Sequence, residues 1–107
     1  MNSNKQLLQR IKNAVHKVEP KATIILYGSR ARGDNRPDSD WDILIIVNKK
    51  KVSNQFEDEI TFPLYEIEWD TGNIISPIVI NKNTWQIQNQ NYVPPFFESI
   101  QKEGILI

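Results

Sequence analysis

The sequence contains no cysteine, which excludes a disulfide framework and any thiolate chemistry. It contains a single histidine, His16, set among Asn13 and Lys17 and read as an ordinary surface residue. General-base chemistry by histidine is therefore not expected. An excess of either charge is also missing. Lys+Arg 13 balance Asp+Glu 13 for a formal net charge of +0, so no overall basic field exists and nucleic acid is not an expected partner. The only like-charge run, Lys49 to Lys51, reads as a solvated turn. No stretch approaches the ~18 apolar residues of a membrane span, and the polar N-terminus lacks the apolar core of a signal peptide. The expectation is a cytoplasmic protein with no membrane partner. No internal repeat is visible, and a chain of 107 residues suits one domain, 1–107, with a single core.

What is present is concentrated between Gly28 and Val47, GSRARGDNRPDSDWDILIIV. A Gly-Ser turn follows the aliphatic run Ile24-Ile25-Leu26-Tyr27, and two acids, Asp40 and Asp42, stand at the mouth of a second run, Ile43 to Val47. Side chains two apart on a strand share a face, so the two carboxylates stand side by side. The aliphatics behind them show no polar alternation, as in a strand covered on both faces. Paired carboxylates at such a rim repel each other and lose hydration unless a cation sits between them. Magnesium suits the position, because it favours oxygen ligands and fills its remaining sites with water and phosphates.

The first half of the stretch supplies a place for phosphate. Gly28 and Ser29 fall where a strand turns into a short helix, about Ser29 to Arg32. Glycine admits close approach of a ligand, and helix-start amides attract anions. The Ser29 hydroxyl adds a donor, and Arg30 and Arg32 add cations. Triphosphate beside metal is the arrangement of phosphoryl and nucleotidyl transfer.

GSRARG followed by SDWD resembles the signature of the minimal nucleotidyltransferases (MNT) of the DNA polymerase beta superfamily, the small partners of HEPN proteins. Gly28, Ser29, Arg32, Gly33, Ser39, Asp40 and Asp42 match that motif in order. The resemblance implies an α/β (α+β) fold with a polymerase-beta palm-like nucleotidyltransferase core, a small mixed sheet with helices on it. It implies a magnesium-dependent enzyme, with two ions held by Asp40 and Asp42 as catalytic ligands. ATP or another NTP would be held by Gly28, Ser29, Arg30, Arg32 and Ser39. It further implies an antitoxin that transfers AMP to a hydroxyl of a HEPN-type toxin. Active members of this superfamily carry a third carboxylate on a later strand, whereas the corresponding stretch here reads Ile75-Ser76-Pro77-Ile78-Val79, with Ser76 the nearest polar residue. The alternative reading, of another class, is a nucleotide-binding module that neutralises its partner by occupancy alone. With the motif and its supports filling most of the chain, the acceptor is expected to arrive on another chain.

Elsewhere, Leu7, Ile11, Val15 and Val18 predict a first helix from Ser3 or Asn4 to about Val18, ended by Pro20. Ala22–Tyr27 is the first strand. Ser53 caps a long helix reaching about Asp70 and stopped by Gly72, with Phe56, Ile60, Leu64 and Ile67 as its buried line. Pro63 is expected to kink or break it. Ile74–Ile80 is a third strand, placed at an edge or bulged by Pro77. Asn81 to Val93 reads as a polar loop in which Trp85 and Tyr92 anchor to the core. Pro94-Pro95 open a last helix closed by Gly104, with Phe96 and Ile100 facing the core. The tail Ile105-Leu106-Ile107 forms a final strand. The edge strand and this apolar tail offer surfaces for a homo-oligomer.

Overall fold

The computed structural model describes residues 3–87 and 94–107; the expectation for Tyr92 lies outside them. The elements run α1 (Ser3–Val18), β1 (Thr23–Tyr27), α2 (Ser29–Arg32), β2 (Trp41–Val47), α3 (Asn54–Thr71), β3 (Ile75–Asn81), α4 (Lys82–Ile87), α5 (Pro95–Glu103) and β4 (Ile105–Leu106). The strands form one mixed sheet in the order β3-β2-β1-β4. β1 is antiparallel to β2 and β4, whereas β2 and β3 are parallel. That parallel pairing requires a crossover, and α3 supplies it. Pro77 lies on β3, which is an edge strand, as its missing N–H demands.

β2 organises the interior. Its alternate residues Trp41, Ile43, Ile45 and Val47 join Ile11 and Val15 of α1 and Ile60, Leu64 and Ile67 of α3 in the larger core. Leu44 and Ile46 point the other way and meet Ile100 of α5, with Trp85 and Tyr27 packed alongside. Trp85 thus anchors to the core, its ring 5.6 Å from that of Phe97.

The caps follow the residue chemistry. The Ser53 hydroxyl accepts from the Phe56 amide at 3.1 Å, and Gly72, with φ 75°, closes α3 in the left-handed conformation. Lys49 of the basic run lies over the Phe56 ring, 3.9 Å from its centre. Three expectations change. α3 continues through Pro63. A helix-interior proline costs about 3 kcal/mol, but Ile60 and Leu64 on either side are fully buried. Each of them contributes roughly 1.5–3 kcal/mol, enough to hold the turns together. The polar run after Asn81 starts with a helix, α4, because the Asn81 side chain accepts from the Thr84 amide at 2.6 Å and caps it. Phe96 is 45% exposed. It meets Tyr27 edge-on at 5.6 Å, leaving Ile100 to face the core.

Candidate active site

The turn after β1 is built around Gly28. Its φ of 77° and ψ of −159° lie in a region that side chains with a Cβ rarely occupy. The Gly28 carbonyl accepts from the Ala31 and Arg32 amides at 3.1 Å each, which sets the single turn of α2. A Cβ on Gly28 would lie 2.2 Å from the Asp42 Oδ2. The turn and the acid are therefore in contact across the β1–β2 ladder, where Tyr27 is the partner of Asp42. Gly33, at φ 86°, ends α2 with nothing near its missing Cβ.

Asp40 lies just before β2 and Asp42 is its second residue. On the far side, Ser76 of β3 is the register partner of Asp42, and its hydroxyl donates to the Asp40 carboxylate at 3.2 Å. The strand expected to carry an acid thus presents a hydroxyl to the pair. Burial, and then the Asp40 charge, push the Asp42 carboxyl above the ordinary carboxylate range, with Arg32 pulling the other way. Tyr27 is pushed up to about 12 by burial and by Asp42, so its phenol stays neutral. Among the described residues, no group of three or more His, Cys, Asp or Glu is placed to hold a metal ion.

The other motif residues divide by role. The Ser29 backbone carbonyl accepts from the Gly33 amide at 2.9 Å, and no partner for its hydroxyl is seen among the described residues. Arg30 turns away from the acids. Its guanidinium donates to the Ser39 and Pro37 carbonyls at 3.0 and 3.1 Å and stacks 4.3 Å from the centre of the Trp41 ring. The Ser39 hydroxyl accepts from the Arg36 amide at 2.8 Å, so Ser39 shapes the connector leading to Asp40. Arg32 stays near Asp42 and is shared by Asp34 and Glu103, at 3.2 and 3.1 Å. The sequence motif did not single out Tyr27 or Glu103 as members of the site, whereas Ser76, the polar residue noted on the later strand, does reach Asp40. Tyr27 could have been found as the polar-tipped residue directly before the glycine. Glu103 leaves no local signal, because its partner lies 71 positions away.

The donor set fits a hard divalent cation. Both acids offer carboxylate oxygens, and a cation between them would relieve the repulsion that raises Asp42. A hollow of about 300 Å³ lies at the other end of β1 and β2, lined by Thr23, Ile46, Lys82 and Trp85 among others. It touches none of these groups.

A small mixed sheet with a glycine turn facing paired aspartates defines a nucleotidyltransferase core. The chain belongs to the nucleotidyltransferase domain family, whose model matches residues 8–106. It is similar in fold to a solved chain described as "Crystal structure of the toxin-antitoxin with AMP-PNP", with a TM-score of 0.63 and 15% identity, covering 92% of this chain and 69% of that one. No curated protein matches the sequence.

Proposed function

We propose that this chain is a magnesium-dependent nucleotidyltransferase that moves AMP from ATP to a hydroxyl on a partner protein. We assign it the role of antitoxin in a HEPN/MNT toxin–antitoxin pair in the cytoplasm. The observation that carries the reading is the contact between Gly28 and Asp42, because a Cβ at Gly28 would lie 2.2 Å from the Asp42 oxygen. A phosphate turn and an acid pair that share one space are what nucleotidyl transfer requires. The family match and a fold relative described as a toxin–antitoxin with AMP-PNP support the same reading.

Asp40 and Asp42 would hold the magnesium, which when bound neutralises phosphate charge. The Gly28–Ser29 turn admits the triphosphate, and the Ser29 hydroxyl donates to a phosphate oxygen. Arg32, beside Asp42, balances the added negative charge. The acceptor oxygen bonds to the α-phosphorus as the bond from that phosphorus to the bridging oxygen breaks, and pyrophosphate leaves with the electron pair. The acceptor proton passes to solvent, since the ladder position opposite Asp42 is Ser76 and not a carboxylate. A positioned base is worth roughly 100- to 10,000-fold, so transfer is slow. That same serine favours the second reading, a nucleotide-holding module that blocks its partner by binding.

The deciding experiment incubates the purified chain with radiolabelled ATP, magnesium and the HEPN-type protein. Label appearing on the partner, and lost with Asp42→Asn, is the expected result. Equal binding of both forms with no label on the partner would leave only the module.

A further inference from the structure

The long helix α3 buries one side and leaves the other uncovered. Phe62, Tyr65 and Trp69 are 65%, 52% and 91% exposed. Their spacing, with Asp58 one turn before, puts them on a single outward stripe. Ile74, 52% exposed, continues it past Gly72. A hollow of about 380 Å³ lies between them, lined by Tyr65, Trp69 and Ile74 among others. Isolated exposed apolar residues are ordinary, but three along one helix face with a fourth just past its end are not.

The charge around the stripe says what covers it. α3 carries six acids and no base. Arg10 of α1 neutralises Asp70, whereas Glu57, Asp58, Glu59, Glu66 and Glu68 form no ion pair among the described residues. A second copy of this chain docked face to face would bring acid against acid. An anionic membrane surface would be repelled in the same way. A surface carrying Lys and Arg among aliphatic side chains fits instead. Its cations pair with the acids and lie over Trp69 and Tyr65, while its aliphatic groups fill the hollow.

The stripe ends beside the first residue of β2. At the end of α3, the Asn73 side chain accepts from the Trp41 indole at 3.4 Å, and the Ile74 carbonyl accepts from the Trp41 amide at 2.8 Å. Trp41 stands between Asp40 and Asp42 in the chain. We infer that the outward face of α3, through Phe62, Tyr65, Trp69 and Ile74, is the docking surface for the acceptor protein. That protein meets it with a basic, aliphatic-bearing surface and thereby brings its hydroxyl to the end of β2. The inference rests on the transfer reading above for the partner's role, but docking is read separately from transfer.

The test measures binding of the HEPN-type protein to the full chain by calorimetry, alongside label transfer from ATP. The Phe62→Ser/Trp69→Ser variant is expected to bind at least about tenfold more weakly, since exposed aromatics of this kind dominate interfaces. Its helical circular dichroism should match that of the parent. Asp58→Lys/Glu66→Lys should also weaken binding, and parent affinity should fall between about 50 and 500 mM NaCl. Asp42→Asn should bind like the parent while transferring roughly 100- to 1,000-fold less. Parent-like binding by the aromatic variant would overturn the docking surface, as would tighter binding on charge reversal. A parent that does not bind the partner, or one that forms a dimer lost in Trp69→Ser, would overturn it too. Binding lost with the aromatic variant but no transfer by the parent would leave the docking surface standing and remove the enzyme.

Discussion

The two faces of the sheet are unequally covered. Among the described residues, fifteen buried side chains lie in the cluster under α1 and α3, against three in the cluster under α5. β2 feeds both faces, with Ile43, Ile45 and Val47 toward the long helices and Leu44 and Ile46 toward the thin side. Period-two alternation puts Asp40 and Asp42 on the thin side as well. One face thus supplies stability, and the other keeps its rim open to ligands. A site whose paired acids repel each other can be carried at low net cost when the opposite face holds the fold.

The largest expected effect tests the thick face. Leu64→Ala should lower unfolding free energy by about 2–5 kcal/mol, measured by urea denaturation, while Ile100→Ala on the thin face should fall at or below the low end of that range. Equal losses would erase the contrast. Next comes Asp42→Asn, which should cut transfer roughly 100- to 1,000-fold in the labelled-ATP assay. The same substitution should raise the thermal midpoint of the metal-free protein at neutral pH. Burial and Asp40 raise the folded-state pKa of Asp42 above its ordinary 3.8. Its contribution is therefore most favourable below that value and is lost as pH rises through the folded pKa. Removing the charge restores what ionisation costs, and a lower midpoint would contradict the argument.

Gly28→Ala follows, with a cost of about 1–3 kcal/mol for the backbone conformation alone and loss of transfer as the methyl displaces Asp42. Gly33→Ala, also at positive φ but in open space, should cost about 1–2 kcal/mol and leave transfer near the parent's. Calorimetric melting and the labelled-ATP assay read the two variants together. The smallest effect is at Tyr27. Absorbance titration should show one tyrosine ionising at about 12, and Asp42→Asn should shift that midpoint down. The unfolded chain ionises this group at its ordinary value of 10.0 while the folded chain holds it neutral. Stability therefore falls as pH rises through that interval.

Much of the framework was legible in the sequence because it rests on local rules. The stripe Leu7–Ile11–Val15, the Ser53 cap, the Gly72 stop and the uninterrupted β2 run all map onto the structure. Pro77 predicted an edge strand for the right reason. What was not legible depends on contacts distant in sequence or on competition between terms. Pro63 carries a local penalty that burial of its neighbours outweighs. Asn81 looked like one more polar loop residue until its side chain was seen to cap α4. The arginines Arg30 and Arg32, two positions apart, read as equivalent cations. The fold gives one to the connector and Trp41, and leaves the other beside Asp42 with Glu103.

The absent methyl of Gly28 has an evolutionary consequence. The room that glycine leaves is already filled by an oxygen of Asp42, so the two codons cannot drift independently. A library randomised at both positions and selected for nucleotide binding should return glycine wherever aspartate survives. Bulk at the first position should appear only beside a shortened partner.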